Sequence, residues 1–394
     1  MDKDYTFIII GLQPWYTSIG SNCKQIAKEL SENFNVLYIN APLDRRSVLK
    51  KKDHNIVRHL ELTKNGKGHI NHIEGNLWEY YPARVLESIN WIPFTYLFQK
   101  VNYYNNKLFA ADIKEAMDLL KIKDFYLFND NEIFRAFYLK ELLKPKAYIY
   151  YCRDYMLGVD YWKKHGEKLE PLHIQKSDYA MANSAYLTEY LAQYNENAID
   201  VGQGCNTTLF NAETQQNVPK DLSDIKGIKI GYVGALNSLR LDLDGIISIA
   251  KSNPQWQVIL VGPEDEDFTN SELHKLGNVH FLGQKELSDL PKYIAGFDVC
   301  INPQKVNMVT IGNYPLKIDE YLNMGKPVVA TKTKAMKIFD QYVYLAESCK
   351  DYPKLIALAL DEDSENKREE RIQFASQHTW QNSVGKILDA LNLS

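Results

Sequence analysis

An ammonium and a carboxylate one helical turn apart are the side chains of this chain best suited to hold a ligand. Lys317 and Glu320 occupy a stretch that we predict to be a short helix. Residues three apart on a helix share a face, so the two groups are presented together. A cation beside a carboxylate suits a ligand that carries a diphosphate and a ribose diol, as a nucleotide sugar does. The alternative is a solvated pair that contributes only about 0.2–0.5 kcal/mol to helix stability.

A glycine and a proline fix where this helix ends. Gly325 is placed to act as a C-cap, and Pro327 prevents the helix from restarting. The residues that follow, Val328 to Ala330, form a short apolar run. Such a run is typical of a buried strand in a parallel sheet. The sequence therefore predicts a loop–helix–strand unit that presents Lys317 and Glu320 from a fixed support.

This segment resembles the donor-binding end of the C-terminal domain in GT-B glycosyltransferases, especially family 4 and its teichuronic-acid-biosynthesis branch. Glu320 and the run from Met324 to Val329 match the second glutamate of the family's Glu-x7-Glu motif and the residues after it. The first glutamate would fall on position 312, which is Gly312 here. The resemblance implies that Glu320 binds the donor ribose and that the usual glutamate contact to the donor hexose is missing. It also implies a donor-sugar loop formed by Asn313, Tyr314, Pro315 and Leu316.

A second glycine-containing turn resembles the family loop that clasps the donor diphosphate. Counted from Gly234, the family arginine falls on Ala235 and the family lysine on Arg240. We therefore predict that Gly234 and Arg240 contact the diphosphate, with Lys317 replacing the missing cation. The alternative for Arg240 is a surface ion pair with Asp242 or Asp244. In the first βα loop, Gly20 and Ser21 are further diphosphate candidates, although Ser21 is also suited to cap a helix.

Alternating apolar runs and amphipathic stretches predict an α/β fold with two Rossmann-like, doubly wound domains facing across a cleft, the GT-B arrangement. A chain of 394 residues has the length of two such domains. We predict an N-terminal, acceptor-side domain over residues 1–210, to which a C-terminal helix at about 375–394 returns. The polar stretch 211–226 is predicted to be a linker, and residues 227–374 the nucleotide-sugar domain. Between the predicted strands Val36 to Asn40 and Phe125 to Phe128 the pattern is irregular.

The candidate catalytic residue follows the predicted strand from Tyr148 to Tyr151. Asp154 lies beside Arg153 at the carboxyl end of that strand, where ligands bind in doubly wound sheets. Its carboxylate could accept the proton of the acceptor hydroxyl. The alternative is an arginine–aspartate pair that pins a loop. On the acceptor side we also place Arg153, together with Asp130, Asp44 and Arg45, which follow neighbouring strands. Asp130 is equally typical of a turn.

Composition limits the partners and cofactors. A net charge of −4 gives no reason to expect nucleic acid. No Asp-x-Asp motif occurs, and residues 264–267 are predicted to be a solvated acidic loop, so we expect neither a metal nor another cofactor. Five scattered cysteines predict reduced thiols and a cytoplasmic protein. The aromatic stretch 86–108 and the basic run 45–52 suggest contact with the inner face of the plasma membrane, although aromatic residues at such spacing are more often core.

The sequence thus predicts a glycosyltransferase that moves a sugar from a nucleoside-diphosphate sugar to a hydroxyl of a glycan acceptor. The resemblance implies a lipid-linked acceptor in cell-surface polysaccharide biosynthesis and transfer without a metal. Two alternatives remain open. One is a nucleotide-sugar-binding protein without turnover, suggested by Gly312 and Ala235, and the other is a nucleotide-sugar epimerase on the same fold.

Overall fold

Two α/β units, each built around its own sheet, make up the chain in a computed structural model. The structure describes residues 5–17, 21–50, 53–214 and 217–394. The first unit runs to Gly202 and takes up the chain again at Ser383–Ser394, and the second unit is Gln203–Asn382. The predicted α/β class with two parallel-sheet domains is confirmed.

The first unit contains an eight-stranded sheet. Its strand order is β3-β4-β2-β1-β5-β6-β7-β8, and all neighbours pair in parallel except β3 with β4. In chain order the strands are β1 (Thr6–Ile10), β2 (Asn35–Ile39), β3 (His69–Glu74), β4 (Leu77–Tyr81), β5 (Phe125–Asp130), β6 (Ala147–Cys152), β7 (Tyr179–Ala182) and β8 (Ala198–Asp200). The helices are α1 (Asn22–Ser31), α2 (Arg45–Lys50), α3 (His54–Leu62), α4 (Thr95–Leu120), α5 (Leu139–Leu143), α6 (Asp160–Lys176) and α7 (Ala185–Leu191).

The second unit contains a six-stranded parallel sheet in the order β11-β10-β9-β12-β13-β14. Its strands are β9 (Lys229–Val233), β10 (Gln257–Val261), β11 (Val279–Phe281), β12 (Val299–Asn302), β13 (Val328–Thr331) and β14 (Tyr344–Ala346). The helices are α8 (Lys220–Ser223), α9 (Leu243–Ser252), α10 (Glu266–Thr269), α11 (Leu290–Ala295), α12 (Leu316–Asn323), α13 (Tyr352–Glu362) and α14 (Glu365–Ala375). Helix α15 (Trp380–Ala390) begins in this unit and ends in the first.

The central strands are buried on both faces, which explains their continuous apolar sequences. Every residue of β1 is buried, as are the whole of β5 and β6. In the second unit, β12 and β13 are buried along their full length, and for β13 this burial was predicted from the apolar run after Pro327. Burial of this apolar surface, at about 25 cal/mol per Å², is the main force that holds each sheet against its helices.

The stretch with an irregular sequence pattern contains two strands and three helices, which the pattern did not predict. Helix α4 is the longest of these elements. It has a weakly amphipathic sequence because Asn102, Asn105, Asn106 and Asp112 are buried on its inner face. These side chains hydrogen-bond to neighbouring loops; for example, Asn102 Nδ2 donates to the Phe134 carbonyl oxygen at 2.8 Å. Polar residues on the buried face remove the apolar periodicity by which a helix is recognised.

The unit boundaries differ from those predicted. The first unit ends at Gly202 rather than at 210, because Cys205 and Phe210 belong to the core of the second unit. The stretch 211–226 is not a free linker over its described residues. Leu222 on α8 is fully buried, and the Ala212 N–H donates to the Asn323 carbonyl oxygen at 3.2 Å. The C-terminal return begins at Ser383 rather than at about 375, and the Ser383 hydroxyl donates to the Val201 carbonyl oxygen.

Candidate functional site

The candidate site lies at the carboxyl ends of β9 and β12 in the second unit. In the sheet, β10 and β11 lie on one side of β9, whereas β12 lies next to β9 on the other side. Ligands of doubly wound sheets bind at such switch points. The turn after β9 brings the backbone of Gly234 against Gly262, where an added Cβ would lie 2.0 Å from the Gly234 carbonyl oxygen. Both glycines have a positive φ, so side chains larger than hydrogen are excluded from this turn.

Lys317, on the first turn of α12, reaches this glycine turn. Its Nζ donates to the Tyr232 hydroxyl at 2.6 Å and lies 4.1 Å from the centre of the Tyr232 ring. A Cβ added to Gly234 would lie 2.8 Å from the same Nζ. The structure therefore brings together two of the predicted diphosphate residues, Gly234 and Lys317. Tyr232, which orients the ammonium, was not predicted to be a site residue. A tyrosine in a buried strand gives no local signal of such a contact.

Glu320 carries a carboxylate that accepts no hydrogen bond and forms no ion pair within the part of the chain that the structure describes. Burial raises its pKa to about 7, an effect that Lys317 opposes and Asp319 reinforces. The sequence also allowed Lys317 and Glu320 to be a simple helix-surface pair. No ion pair forms between these two described residues. A partly buried acceptor without a donor is suited to ligand hydroxyl groups, which would stabilise its ionised form.

The pKa of Glu320 predicts how stability depends on pH. Between the ordinary value of 4.5 and about 7, the unfolded chain releases a proton that the folded protein retains. Stability therefore falls as pH rises through this window, and the cost is complete above it. We expect Glu320→Gln to leave stability unchanged at pH 4 and to raise it by roughly 1–3 kcal/mol at pH 8. Urea unfolding at both pH values measures this.

Glu369→Gln is the matched control, because Glu369 is an exposed carboxylate on α14 of the same unit. It should leave stability unchanged at both pH values. If Glu320→Gln and the parent had the same urea midpoint at pH 8, burial of the ionised Glu320 carboxylate would not lower the free energy of unfolding.

Arg240 lies exposed in the loop that follows β9. Its predicted alternative, an ion pair with Asp242 or Asp244, is not present among the described residues. The loop is fastened to the segment after β12, since the Lys305 N–H donates to the Arg240 carbonyl oxygen at 2.8 Å and Lys305 Nζ donates to the Ser238 carbonyl oxygen at 2.8 Å. Lys305, on the segment after β12, is thus a second cation close to the loop that carries Arg240. It was missed because only the tertiary fold places it beside Arg240.

The loop before α12 is partly structural. Tyr314 is buried, and its hydroxyl donates to Asp319 Oδ2 at 2.7 Å, while His378 Nδ1 lies 2.7 Å from Asp319 Oδ1. Burial raises the pKa of Asp319. Tyr314 therefore anchors the start of α12 to the core, which does not favour the predicted contact of its side chain with a donor sugar. Pro315 is also buried, whereas Asn313 and Leu316 are partly exposed.

In the first unit, Ser21 caps α1. Its Oγ accepts from the Lys24 N–H at 3.3 Å, so the alternative of a helix cap is the one that the structure shows. Gly20, the other residue predicted in this loop, lies outside the described residues. The predicted role of both in binding a diphosphate stays a prediction.

Asp130 and Arg153 form a buried pair at the carboxyl ends of β5 and β6. Arg153 Nε donates to Asp130 Oδ1 at 2.9 Å, and the Leu12 N–H donates to Asp130 Oδ2 at 3.3 Å. Asp130 is fully buried, which raises the pKa of its carboxyl. Its oxygens hold the loop after β1 and the Arg153 guanidinium, so the predicted acceptor contact of Asp130 is not favoured.

Asp154 keeps part of its carboxylate accessible. Its side chain is 24% exposed and lies 3.5 Å from Arg153 Nη1. The Asn131 Oδ1 accepts from both the Arg153 and the Asp154 N–H groups, which fixes the backbone of the loop after β6. Of the predicted carboxylates at this edge of the sheet, Asp154 is therefore better placed than Asp130 to meet a substrate.

Asp44 and Arg45 lie after β2, at the start of α2. Asp44 Oδ1 accepts from the Ser88 hydroxyl at 2.6 Å and from the Ser47 N–H at 3.1 Å. Arg45 is exposed and pairs through Nε with both oxygens of Glu87, at 2.7 and 2.8 Å. This exposed pair contributes little, on the order of 0–1 kcal/mol, and gives Arg45 a surface partner rather than a catalytic one.

The described residues contain no group of three His, Cys, Asp or Glu side chains that could hold a metal ion. In the acidic loop 264–267, Asp265 caps α10 and accepts from the Ser238 N–H at 2.6 Å. Within the same described ranges, none of the helices has the length and apolarity needed to cross a membrane.

The sequence was compared with protein families and with known proteins. Residues 227–356 match the glycosyl transferases group 1 family. A protein of Bacillus subtilis (strain 168) named "Putative teichuronic acid biosynthesis glycosyltransferase TuaH" is 32% identical over 178 residues, an alignment that spans 43% of this chain and 45% of that protein. The chain thus aligns with less than half the length of that relative.

Solved structures share the fold over nearly the whole chain. Anabaena Alr3699/HepE, crystallised in complex with UDP, is similar with a TM-score of 0.64 and 16% identity over 99% of both chains. Sucrose-phosphate synthase from Thermosynechococcus elongatus is similar with a TM-score of 0.67 and 14% identity over 98% of both chains. The chain therefore has the GT-B fold, and its second unit carries a glycosyl transferases group 1 domain. The resemblance noted from the sequence is confirmed at this level.

Proposed function

We propose that this protein is a glycosyltransferase that moves a sugar from a nucleoside-diphosphate sugar to a hydroxyl group of a glycan acceptor. The observation that carries the proposal is the arrangement at the β9–β12 switch point. There a lysine ammonium lies against a glycine turn, and a carboxylate without a hydrogen-bond donor lies one helical turn further along α12. The group 1 domain over residues 227–356 supports the same function.

The donor is held by charge and hydrogen bonding in this proposal. Lys317 binds the diphosphate and Arg240 supplies a planar guanidinium that can pair with two phosphate oxygens. As the bond to the sugar breaks, negative charge grows on the leaving diphosphate, and both cations stabilise it. Glu320 accepts hydrogen bonds from the ribose hydroxyls. The UDP complex of the similar Anabaena protein supports a uridine nucleotide as the first candidate.

The acceptor side belongs to the first unit in this proposal. Asp154 takes the proton from the acceptor hydroxyl as the new glycosidic bond forms. The relative named for teichuronic acid biosynthesis supports an acceptor in cell-surface polysaccharide assembly. A lipid-linked acceptor, a cytoplasmic location at the inner face of the membrane, and membrane contact through the aromatic stretch 86–108 are further parts of the proposal. The exposure of Phe94 and Tyr96, at 72% and 69%, supports such contact.

The experiment that tests the function measures UDP release and glycan product from UDP-sugars with a panel of glycan acceptors. We expect transfer that persists largely unchanged after EDTA, because Lys317 and Arg240 supply the positive charge that a metal would otherwise provide. The control is the same assay with magnesium and with manganese added back. Strict dependence on either ion would overturn the proposed electrostatic role of the two cations.

A nucleotide-sugar-binding protein without turnover is the second candidate, favoured by Gly312 and Ala235 at positions where the family has functional side chains. It predicts tight donor binding with no product for any acceptor. Conversion of the donor without an acceptor would instead indicate an epimerase.

A further inference from the structure

The first unit contains a cavity of about 220 Å³ that none of the roles proposed above requires. Its wall is built from the segments after β2 and β4, from the start of α4, from the segment after β5 and from the start of α6. Among the lining residues are Asp44, Asn90, Trp91, Asn102, Tyr161 and Trp162. Since binding pockets for drug-sized ligands occupy roughly 300–1,000 Å³, this α4 cavity has room for one small ring.

Two asparagines of the cavity wall have side-chain oxygens without a hydrogen-bond donor. Asn90 Oδ1 and Asn102 Oδ1 are buried and unpartnered among the described residues. Their orientation is fixed, because Asn90 Nδ2 donates to the Tyr161 carbonyl oxygen at 2.9 Å and Asn102 Nδ2 donates to the Phe134 carbonyl oxygen at 2.8 Å. Leaving a buried acceptor unpaired costs about 1–3 kcal/mol. Both oxygens are closed to water, so they shape the cavity wall and are not within reach of a ligand in the cavity.

The charged groups of the cavity favour hydrogen-bond donors. Burial tends to raise the pKa of Asp44, but hydrogen bonds from Ser88 and Ser47 outweigh it, so the pKa lies below its usual value and the carboxyl is ionised near neutral pH. Arg135 also lines the cavity, but it forms an ion pair with Glu132, whose Oε2 lies 2.6 Å from Arg135 Nη2. Arg46 is an exposed cation of the wall without an ion-pair partner in the part of the chain that the structure describes.

Aromatic rings supply the apolar part of the wall. Trp91 is 74% exposed, yet its Nε1 donates to the Ser88 carbonyl oxygen at 2.6 Å, which holds the indole in place. Trp162 stacks on Phe134 with the ring centres 5.3 Å apart. Tyr161 is 54% exposed. Aromatic faces attract the C–H groups of a sugar ring, while a hydroxyl of the ring can donate to Asp44.

We propose that the α4 cavity binds one neutral sugar ring of the glycan acceptor, with a hydroxyl donating to Asp44 and the ring packing on Trp91 and Tyr161. The assignment to the acceptor rests on the proposed function, whereas sugar binding rests on the cavity itself. A uronic acid is disfavoured, because its carboxylate would meet an ionised Asp44.

Saturation-transfer-difference NMR with methyl glucoside, methyl galactoside, methyl N-acetylglucosaminide and methyl glucuronide tests this. We expect at least one of the neutral glycosides to bind the parent more tightly than the glucuronide does. Trp91→Ala and Tyr161→Ala should each weaken that binding about two- to tenfold, as expected for loss of an aromatic contact. Both residues are largely exposed, so the variants should fold. Phe94→Ala and Tyr96→Ala are matched controls, since these exposed aromatics do not line the cavity.

Equal binding by the parent and Trp91→Ala, or binding of no neutral glycoside, would overturn the proposal. Preferential binding of the glucuronide would overturn the neutral ring and assign Arg46 as an anion contact. Titration of the same samples with nucleoside diphosphates separates this result from the function of the second unit. Glycoside binding without binding of UDP, GDP, ADP, CDP or dTDP would leave the cavity assignment standing and remove the proposed transferase function.

Discussion

Asp154→Asn should lower the rate of sugar transfer by about 10²–10⁴-fold while leaving the affinity for UDP unchanged. The substitution keeps the shape of the side chain and removes the base that accepts the hydroxyl proton. Because Asn131 fixes the loop through the backbone N–H of residue 154, the loop should keep its conformation. Initial rates at saturating donor, together with calorimetric titration of UDP, measure the two quantities separately.

Asp160→Asn is the control for this experiment, since Asp160 is an exposed carboxylate at the start of α6 in the same unit. It should transfer sugar at the parental rate. If transfer retains the anomeric configuration, the leaving phosphate can take the proton and the loss will lie at the lower end of the range. Parental rates in Asp154→Asn with UDP bound normally would remove Asp154 from the chemical step.

Lys317→Met should lower kcat/KM for the donor by about 10²–10³-fold, the effect of removing one preorganised group that stabilises developing negative charge. Methionine is similar in length to lysine but lacks the ammonium that lies over the Tyr232 ring and beside Gly234. The measurement is the dependence of the initial rate on UDP-sugar concentration. The exposed residue Lys337 provides the control Lys337→Met, which should behave like the parent.

The separate values of kcat and KM show whether Lys317 acts in the bound ground state or in the transition state. A lower kcat with little change in KM would show that the ammonium acts mainly on the leaving diphosphate. A higher KM alone would assign it to ground-state binding of the donor. Unchanged kcat/KM would contradict any contact between Lys317 and the diphosphate.

Local signals predicted the secondary structure that carries the candidate site. Gly325 and Pro327 mark the end of α12 and the start of β13, and a spacing of three places Lys317 and Glu320 one turn apart. The glycines that end β9 and β10 likewise follow from the need for a positive φ at a tight turn. Such features depend on residues close in sequence, so a single chain contains enough information to predict them.

Features that depend on distant residues could not be predicted in the same way. Tyr314 is buried because Asp319 accepts from its hydroxyl and is itself held by His378, 59 positions further along the chain. Asp130 is buried because its carboxylate binds the N–H of Leu12, 118 positions away. Helix α4 escaped recognition because its polar inner face is paired with loops from elsewhere in the unit. In each case a tertiary contact overrides the local pattern.

Calorimetric titration of UDP into the parent and into Glu320→Gln tests the central claim most directly. Glutamine preserves the shape of Glu320 but cannot offer a charged acceptor to the ribose hydroxyls. A hydrogen bond to a charged group contributes about 1.5–3 kcal/mol, so we expect the variant to bind UDP roughly ten- to a hundredfold more weakly at pH 8. Because the pKa of Glu320 lies at about 7, the difference should shrink as the pH is lowered to 6. Equal affinities at pH 8, or no binding by the parent of UDP, GDP, ADP, CDP or dTDP, would contradict the assignment of a nucleotide-sugar site to α12.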